Sequence, residues 1–473
     1  MKKVLRAYKK TVSIVNETAI WMYENLGSDR IGFLMESNEK ESGKYTFMGV
    51  DPQALVQSEK DGLVITENNG NVTKLKGNPL VLLKEYFSSF EVHSDETQDE
   101  FNGGLVGSLG YDFIRYTENL PDDNEDEIGI ETIQLMLALK FIAIDHMAET
   151  VTAVVLDEDN EEGKKRALAE AEKLIDEART PGNENKKSCE IKNHHDGVII
   201  KKSDTLEQYS EKVNKIKEYI KEGHIFQTVL SQRWTIQTKQ TGFDLYKQLR
   251  VLNPSPYLYY YNFGKFEIIG SSPEMIVKQQ GSRVYTCPIA GTRRRGVDAE
   301  EDALLRDELL RDEKERAEHV MLVDLARNDM GRISEFGTVK VTQFMEVQNY
   351  SHVMHIVSMV EGKKKGEFHP LDLVSSFLPA GTLSGAPKIR AMEIIDELES
   401  VRRGLYGGAT GYIDFSGDMD FCITIRTMIK KKNRVYLQAG AGIVADSVPE
   451  NEYQECCNKV MALAKTLIEE ENL

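Results

Sequence analysis

Cysteine is scarce in this 473-residue chain: there are five, at positions 189, 287, 422, 456 and 457. None has CxxC spacing and Cys456 adjoins Cys457, so neither a zinc site nor a disulfide framework is indicated, which fits a reducing, cytoplasmic setting. Positive charge is also short, since 59 Lys and Arg against 77 Asp and Glu leave a net charge of −18. That balance argues against a nucleic-acid partner, because neutralising a phosphate backbone takes clustered cations. The basic clusters present, Arg293 to Arg295 and Lys430 to Lys432, are brief and sit beside turns. No eighteen apolar residues run together and the basic N-terminus has no uninterrupted apolar core, so neither a membrane span nor a signal peptide is expected. Internal repeats and low-complexity tracts are missing, and PAGTLSGAPK (379–388) lacks the GKS/T ending of a nucleotide-binding loop. What is left is an acidic chain long enough for about three domains or one large catalytic unit.

Three segments follow from patterning. Residues 1–156 alternate short strand-like runs with turns, with helices near 18–26 and 79–90, and 135–156 reads as two buried strands joined at His146. Residues 157–202 turn to charge, predicting a helix over 164–178 and then a polar linker after a Pro-Gly breaker. Residues 203–470 form the last unit. It opens on an amphipathic helix over 205–222, closed by Gly223, and continues into the strand HIFQTVLSQRW. Pro254 and Pro256 then lead into an aromatic strand. A long helix is expected over 308–326, where Glu318, Met321, Leu322 and Leu325 share one face; a carboxylate on an apolar face needs a partner or a proton.

The richest stretch is 404–459. It reads GLYGGATGY, GDMDFCITIRT, QAGAGIVADS and then a helix containing ENEYQE. Alternation over 421–427 predicts a strand that places Arg426 on the face of Cys422 and Thr424, able to fork onto a carboxylate. A second strand over 435–438 is expected to end in an AGAG loop whose bare backbone suits an anion. Ser447 is the candidate cap of the next helix, with Pro449 in its first turn. On that helix Glu452, Glu455 and Lys459 line up beside the core face. Two carboxylates, a lysine and an arginine around glycine backbone suggest a divalent cation and a multiply anionic small molecule.

These words, with PAGTLSGAPK, closely resemble the chorismate-utilising enzymes, and among them the large components of anthranilate synthases, over nearly the whole chain. The resemblance implies an α+β chorismate-binding fold, with large antiparallel sheets flanked by helices and a packed N-terminal unit. It implies conversion of chorismate and ammonia to anthranilate and pyruvate. Mg²⁺ would be held by Glu318 and Glu455, with Glu452 acting through water. Substrate would be met by Gly291, Thr382, Tyr406, Arg426, Ala441, Gly442 and Lys459. Glu274 would protonate the departing C4 hydroxyl, His355 would assist proton removal, and Thr292 would lie near the substrate ring. On spacing alone Glu274 reads equally as an acid at a helix start, and His355 as a hydrogen-bonded core histidine.

Two departures discriminate within the family. Gln227 stands where isochorismate and salicylate synthases resemble one another in a water-activating lysine. Ala290 stands where many aminodeoxychorismate synthases carry a lysine nucleophile. Ammonia as nucleophile, without a covalent intermediate, is the better fit. The resemblance further implies feedback inhibition by tryptophan, held by Ser37 in FLMES (33–37), Lys44, Pro256, Leu258 and Tyr412, although Ser37 also reads simply as a strand end. No cysteine sits in a glycine-flanked nucleophile elbow, so a separate glutamine amidotransferase subunit is expected, in a heterotetramer of two large and two small subunits. The competing expectations are an enzyme that stops at an amino intermediate and a non-catalytic sensor of chorismate or tryptophan.

Overall fold

The computed structural model describes residues 2–14, 17–37, 45–94, 101–180, 195–350 and 353–469. Among these residues two large sheets form, of 13 and 12 strands. Pairing is antiparallel, apart from Lys3–Ser13 alongside Phe90–His93. In the first sheet the order runs from Val198–Lys202 through Gln227–Gln237, Arg434–Ile443, Thr427–Lys431, Glu267–Ser272 and Tyr257–Asn262. It then passes directly to Gly32–Glu36 and Tyr45–Val50. The second sheet makes the same passage where Ala409–Asp414 pairs with Gly104–Leu109. Strands from residues 1–156 and from 203–470 therefore share both sheets, and the expected N-terminal unit is continuous in hydrogen bonding with the rest.

The strand Tyr257–Asn262 shows why the sheets stack. Successive side chains point to opposite faces, so Tyr259 and Tyr261 enter the apolar layer between the sheets while Leu258 and Tyr260 enter the layer on the other side. The inter-sheet layer also takes Phe33, Phe47 and Phe141 from the first sheet and Leu105, Ile276 and Phe421 from the second. The outer layer is closed by helices: Ala19–Leu26 through Tyr23, Glu161–Arg179 through Ala171 and Ile175, Gly242–Leu252 through Phe243, and Pro449–Ala464 through Val460. No helix is long and apolar enough to cross a membrane among the described residues.

Several expected elements change on folding. The helix expected over 205–222 is Leu206–Lys221, started by a reciprocal cap: the Thr205 hydroxyl accepts from Gln208 N, and the Gln208 side chain accepts from Thr205 N. The charged segment's helix is longer than expected, Glu161–Arg179, and its alanine face is buried. Residues 135–156 make three strands, because Leu139 separates Ile133–Ala138 in the second sheet from Lys140–Asp145 in the first. The long helix expected over 308–326 is two helices, Ala299–Arg311 and Glu313–Ile333. Asp312 ends one and caps the other by accepting from Lys314 N and Glu315 N.

Candidate active site

Glu274 and Arg426 occupy equivalent kinds of place. Glu274 lies between Glu267–Ser272 of the first sheet and Met275–Gln280 of the second; Arg426 lies between Met419–Ile423 of the second and Thr427–Lys431 of the first. At both points the chain leaves one ladder for the other. Arg426 is thus in a link, not on the expected strand with Cys422, and it adopts φ +50°. The periodic pattern was continuous, but the chain turns left-handed at this residue to change sheets. A cavity of about 1070 Å³ opens beside the two crossings.

On one wall Glu274 is 8 % exposed. Thr382 Oγ1, in the turn Gly381–Leu383, donates to its carboxyl at 3.2 Å. Burial pushes the Glu274 carboxyl up to about 8, opposed by the bonds from Thr382 and from the Ile289 backbone. His355 also lines the cavity, from the strand Val353–Lys363. Its Nδ1 donates to the Gly291 carbonyl at 2.9 Å and lies 3.1 Å from Thr292 Oγ1. That bond leaves Nε2 as the basic nitrogen, and burial lowers the affinity of His355 for a second proton. A protonated acid and a neutral base therefore share one cavity.

Charged side chains line the same cavity. Burial works against the positive charge of Arg426, and the Tyr406 phenol and Glu455 oppose that effect; a half-buried cation lining a cavity favours an anionic ligand. Lys459 Nζ donates to Glu455 at 2.6 Å and to the Gly440 carbonyl at 2.9 Å. Glu318 is half-buried, and its carboxyl is raised by burial first and then by the negative charge of Glu315 and Glu455. Glu452 is buried on the same helix as Glu455, and burial raises its carboxyl too. Glu318 sits at the edge of its helix's apolar face instead of on it. The buried seats are His319, Leu322, Val323 and Ala326, and His319 Nε2 is 2.6 Å from Ser358 Oγ.

The AGAG segment is not a loop. The strand Arg434–Ile443 runs straight through it, with Ser231 opposite Gly440 and Val229 opposite Gly442. Its glycines give room: a Cβ at Gly440 would lie 3.0 Å from the Tyr406 hydroxyl, and one at Gly442 would lie 2.6 Å from Gln227 Nε2. Strand alternation then turns Ala441 away from the cavity, into a cluster with Leu230 and Ile394. Ser447 does not cap the following helix, whose N-terminal flank is Val448; its Oγ accepts from Val444 N at 3.1 Å.

Thus Glu274, Thr292, His355 and Thr382 line one cavity with Tyr406, Arg426 and Lys459, together with Gly291, Gly442 and the three glutamates. The residues expected to hold tryptophan do not all converge. Lys44 lies outside the described residues. Ser37 follows the strand Gly32–Glu36, where Glu36 pairs with Leu258, while Pro256 is buried just before Tyr257–Asn262. Leu258 points to the helix-covered side, whereas Tyr412 packs between the sheets, with ring centroids 4.9 Å from Phe101 and 6.0 Å from Phe47.

Sequence reading missed a buried pair beneath the cavity. Arg403 donates to Glu399 at 2.7 Å, to the Leu383 carbonyl at 2.6 Å and to the Val229 carbonyl at 2.8 Å. Glu399 in turn accepts from Ser231 N and Oγ. The pair ties the Thr382 turn to the strand carrying Val229. Its only signal in the sequence is an acid and an arginine four apart in the charged run DELESVRR, a pattern more often found on solvated helix faces.

Comparison with known proteins agrees with this arrangement. Residues 32–465 match the family of chorismate binding enzymes. Anthranilate synthase component 1 of Acetivibrio thermocellus is 46% identical over 461 residues, covering 96% of this chain and 93% of that one. The Aquifex aeolicus protein of the same name is 42% identical, covering 93% and 89%. The crystal structure of anthranilate synthase component I from Streptococcus pneumoniae superposes with a TM-score of 0.79 at 39% identity, covering 90% and 93%. The menaquinone-specific isochorismate synthase of Escherichia coli, at 17% identity, shares the fold with a TM-score of 0.73, covering 98% and 95%. By its sequence, its two-sheet architecture and the cavity at their crossings, the chain belongs to the chorismate binding enzyme family.

Proposed function

We propose that this chain converts chorismate and ammonia to anthranilate, pyruvate and water, as the large component of an anthranilate synthase. The observation that carries the reading is the pairing in one cavity of a protonated Glu274 with a neutral His355, where Gln227 and Ala290 offer no lysine. Near-complete coverage of relatives named anthranilate synthase component 1 supports it.

In this reading Arg426 and Lys459 take one chorismate carboxylate. Ammonia adds at C2 while the C4 hydroxyl takes the Glu274 proton and leaves as water, and the double bonds shift between the two carbons. A carboxyl held near pH 8 is suited to the task, since it is mostly protonated at pH 7 yet acidic enough to give up its proton. His355 Nε2 then receives the C2 proton as the C3–O bond breaks, and the enolpyruvyl group leaves as the enolate of pyruvate, which takes up that proton at its methylene carbon; the ammonium formed on addition loses a proton that restores the Glu274 acid, leaving the aromatic amine.

The donor set at Glu318, Glu452 and Glu455 is all oxygen, as Mg²⁺ requires. The described residues show no ready-made cluster of three ligands, so two carboxylates plus substrate and water is the arrangement that fits. Glu455 would exchange its bond to Lys459 for the cation. Held by these carboxylates, Mg²⁺ would supply positive charge to neutralise the second substrate carboxylate. We further propose a glutamine amidotransferase partner as the ammonia source and tryptophan as an inhibitor acting near Ser37, Pro256 and Tyr412.

The test is anthranilate fluorescence, with mass spectrometry, on adding chorismate, Mg²⁺ and ammonium to the purified chain. Fluorescent product and pyruvate in equal amounts are expected. A non-fluorescent amino intermediate would make the chain a synthase that stops early, and unchanged chorismate would refute catalysis.

A further inference from the structure

The left-handed conformation of Arg426, at φ +50°, is disfavoured for any residue bearing a Cβ. Something must hold it, and the backbone on both sides of the residue is held. The Ile425 carbonyl accepts from Thr427 Oγ1 at 2.8 Å, and that hydroxyl accepts in turn from the Tyr259 phenol at 2.6 Å. Arg426's own carbonyl accepts from Ser271 N at 3.1 Å, and the Ser271 hydroxyl donates to the Asn253 carbonyl. Tyr259 is 2 % exposed, Ser271 1 % and Thr427 8 %, so water does not compete for these bonds.

The reach of Tyr259 is itself built in. Tyr259, Gly270 and Thr427 stand abreast on three neighbouring strands. The phenol crosses the middle strand by lying over Gly270, where a Cβ would meet its ring at 2.1 and 2.2 Å. Only glycine leaves that path open.

We propose that Tyr259, Thr427 and Ser271 are positioning residues that hold Arg426 in its left-handed turn, so that its guanidinium is presented to the cavity, with Gly270 as the passage that lets Tyr259 take part. The proposal rests on the reading of Arg426 as a holder of a chorismate carboxylate. It also ties the turn to the strand Tyr257–Asn262 through Tyr259, and to the C-terminal end of the helix Gly242–Leu252 through the bond of Ser271 to Asn253. The competing account is that these hydroxyls only satisfy one another in the core.

Steady-state kinetics with chorismate, Mg²⁺ and ammonium separate the two. Thr427→Val keeps the shape and removes the hydroxyl. Losing one buried bond at the turn is expected to raise KM for chorismate about fivefold while kcat stays within about twofold. Tyr259→Phe removes the same chain from its other end and should raise KM similarly, and Thr427→Ser should restore the wild-type value. In an Arg426→Lys background, where KM is already raised, Thr427→Val should add little, because residues acting through one another are not additive. A lowered melting temperature with unchanged KM in Thr427→Val and Tyr259→Phe would overturn the proposal. So would fully additive effects with Arg426→Lys. Should Arg426→Lys leave KM unchanged, the carboxylate reading fails, and the proposal falls with it.

Discussion

Replacing Glu274 by Gln tests the chemistry and the electrostatics of the site with one atom exchanged. The amide keeps the shape and an oxygen to accept from Thr382 Oγ1, but has no proton to give. Loss of a positioned general acid is expected to lower kcat by about 10²- to 10⁴-fold with KM less affected. The wild-type rate should fall on the alkaline side near pH 8, where Glu274 ionises, and the residual activity of the variant should lack that limb. Stability gives an independent reading. Burial raises the folded-state value from the ordinary 4.5 to about 8, so between these pH values the native state holds the proton that the unfolded chain has lost. Wild-type stability therefore contains a contribution that is full below pH 4.5 and declines by ~1.4 kcal/mol per pH unit up to about 8, on the order of 5 kcal/mol in all. The variant lacks this decline. Urea unfolding of both proteins at pH 5, 7 and 9 should show the stability of the variant relative to wild type rising across the window and levelling above it. A constant difference, or a variant with wild-type turnover, would refute the assignment of Glu274 as a buried acid.

Three further outcomes follow from the same geometry. Glu455→Gln should abolish anthranilate formation at Mg²⁺ concentrations that saturate wild type, with partial recovery at higher Mg²⁺; fluorescence titration reads this, and an unaltered Mg²⁺ dependence would remove Glu455 from the ligand set. Arg403→Met leaves Glu399 buried without its cation and frees the Leu383 and Val229 carbonyls, so chemical denaturation should show a loss of ~3–5 kcal/mol. A loss under about 1 kcal/mol would mean the pair is better solvated than its burial implies. Ser37→Ala should shift the tryptophan inhibition curve to higher concentration while leaving uninhibited turnover unchanged, and superimposable curves would place the inhibitor elsewhere.

Composition and pattern determined much of this protein. Scarce cysteine and negative charge excluded whole classes of function. The amphipathic helix after Thr205 and the alternation of Tyr257–Asn262 were legible locally, because the period of a segment is a property of that segment alone, whereas the roles of Glu274 and His355 were legible only through the resemblance to the family. Tertiary structure decided what local pattern cannot carry, namely which strand lies beside which. Alternation over 421–427 continued through Arg426, yet the chain changes sheets there and turns left-handed. The glycines of AGAG spelled a loop; a full ladder with Gln227–Gln237 instead satisfies their backbone groups and makes them a wall. Convergence of Glu274, His355 and Arg426, the raised carboxyl of Glu274 and the Arg403–Glu399 pair all arise from burial by segments distant in the chain. Desolvation is a property of the assembled fold, and only assembly could set it.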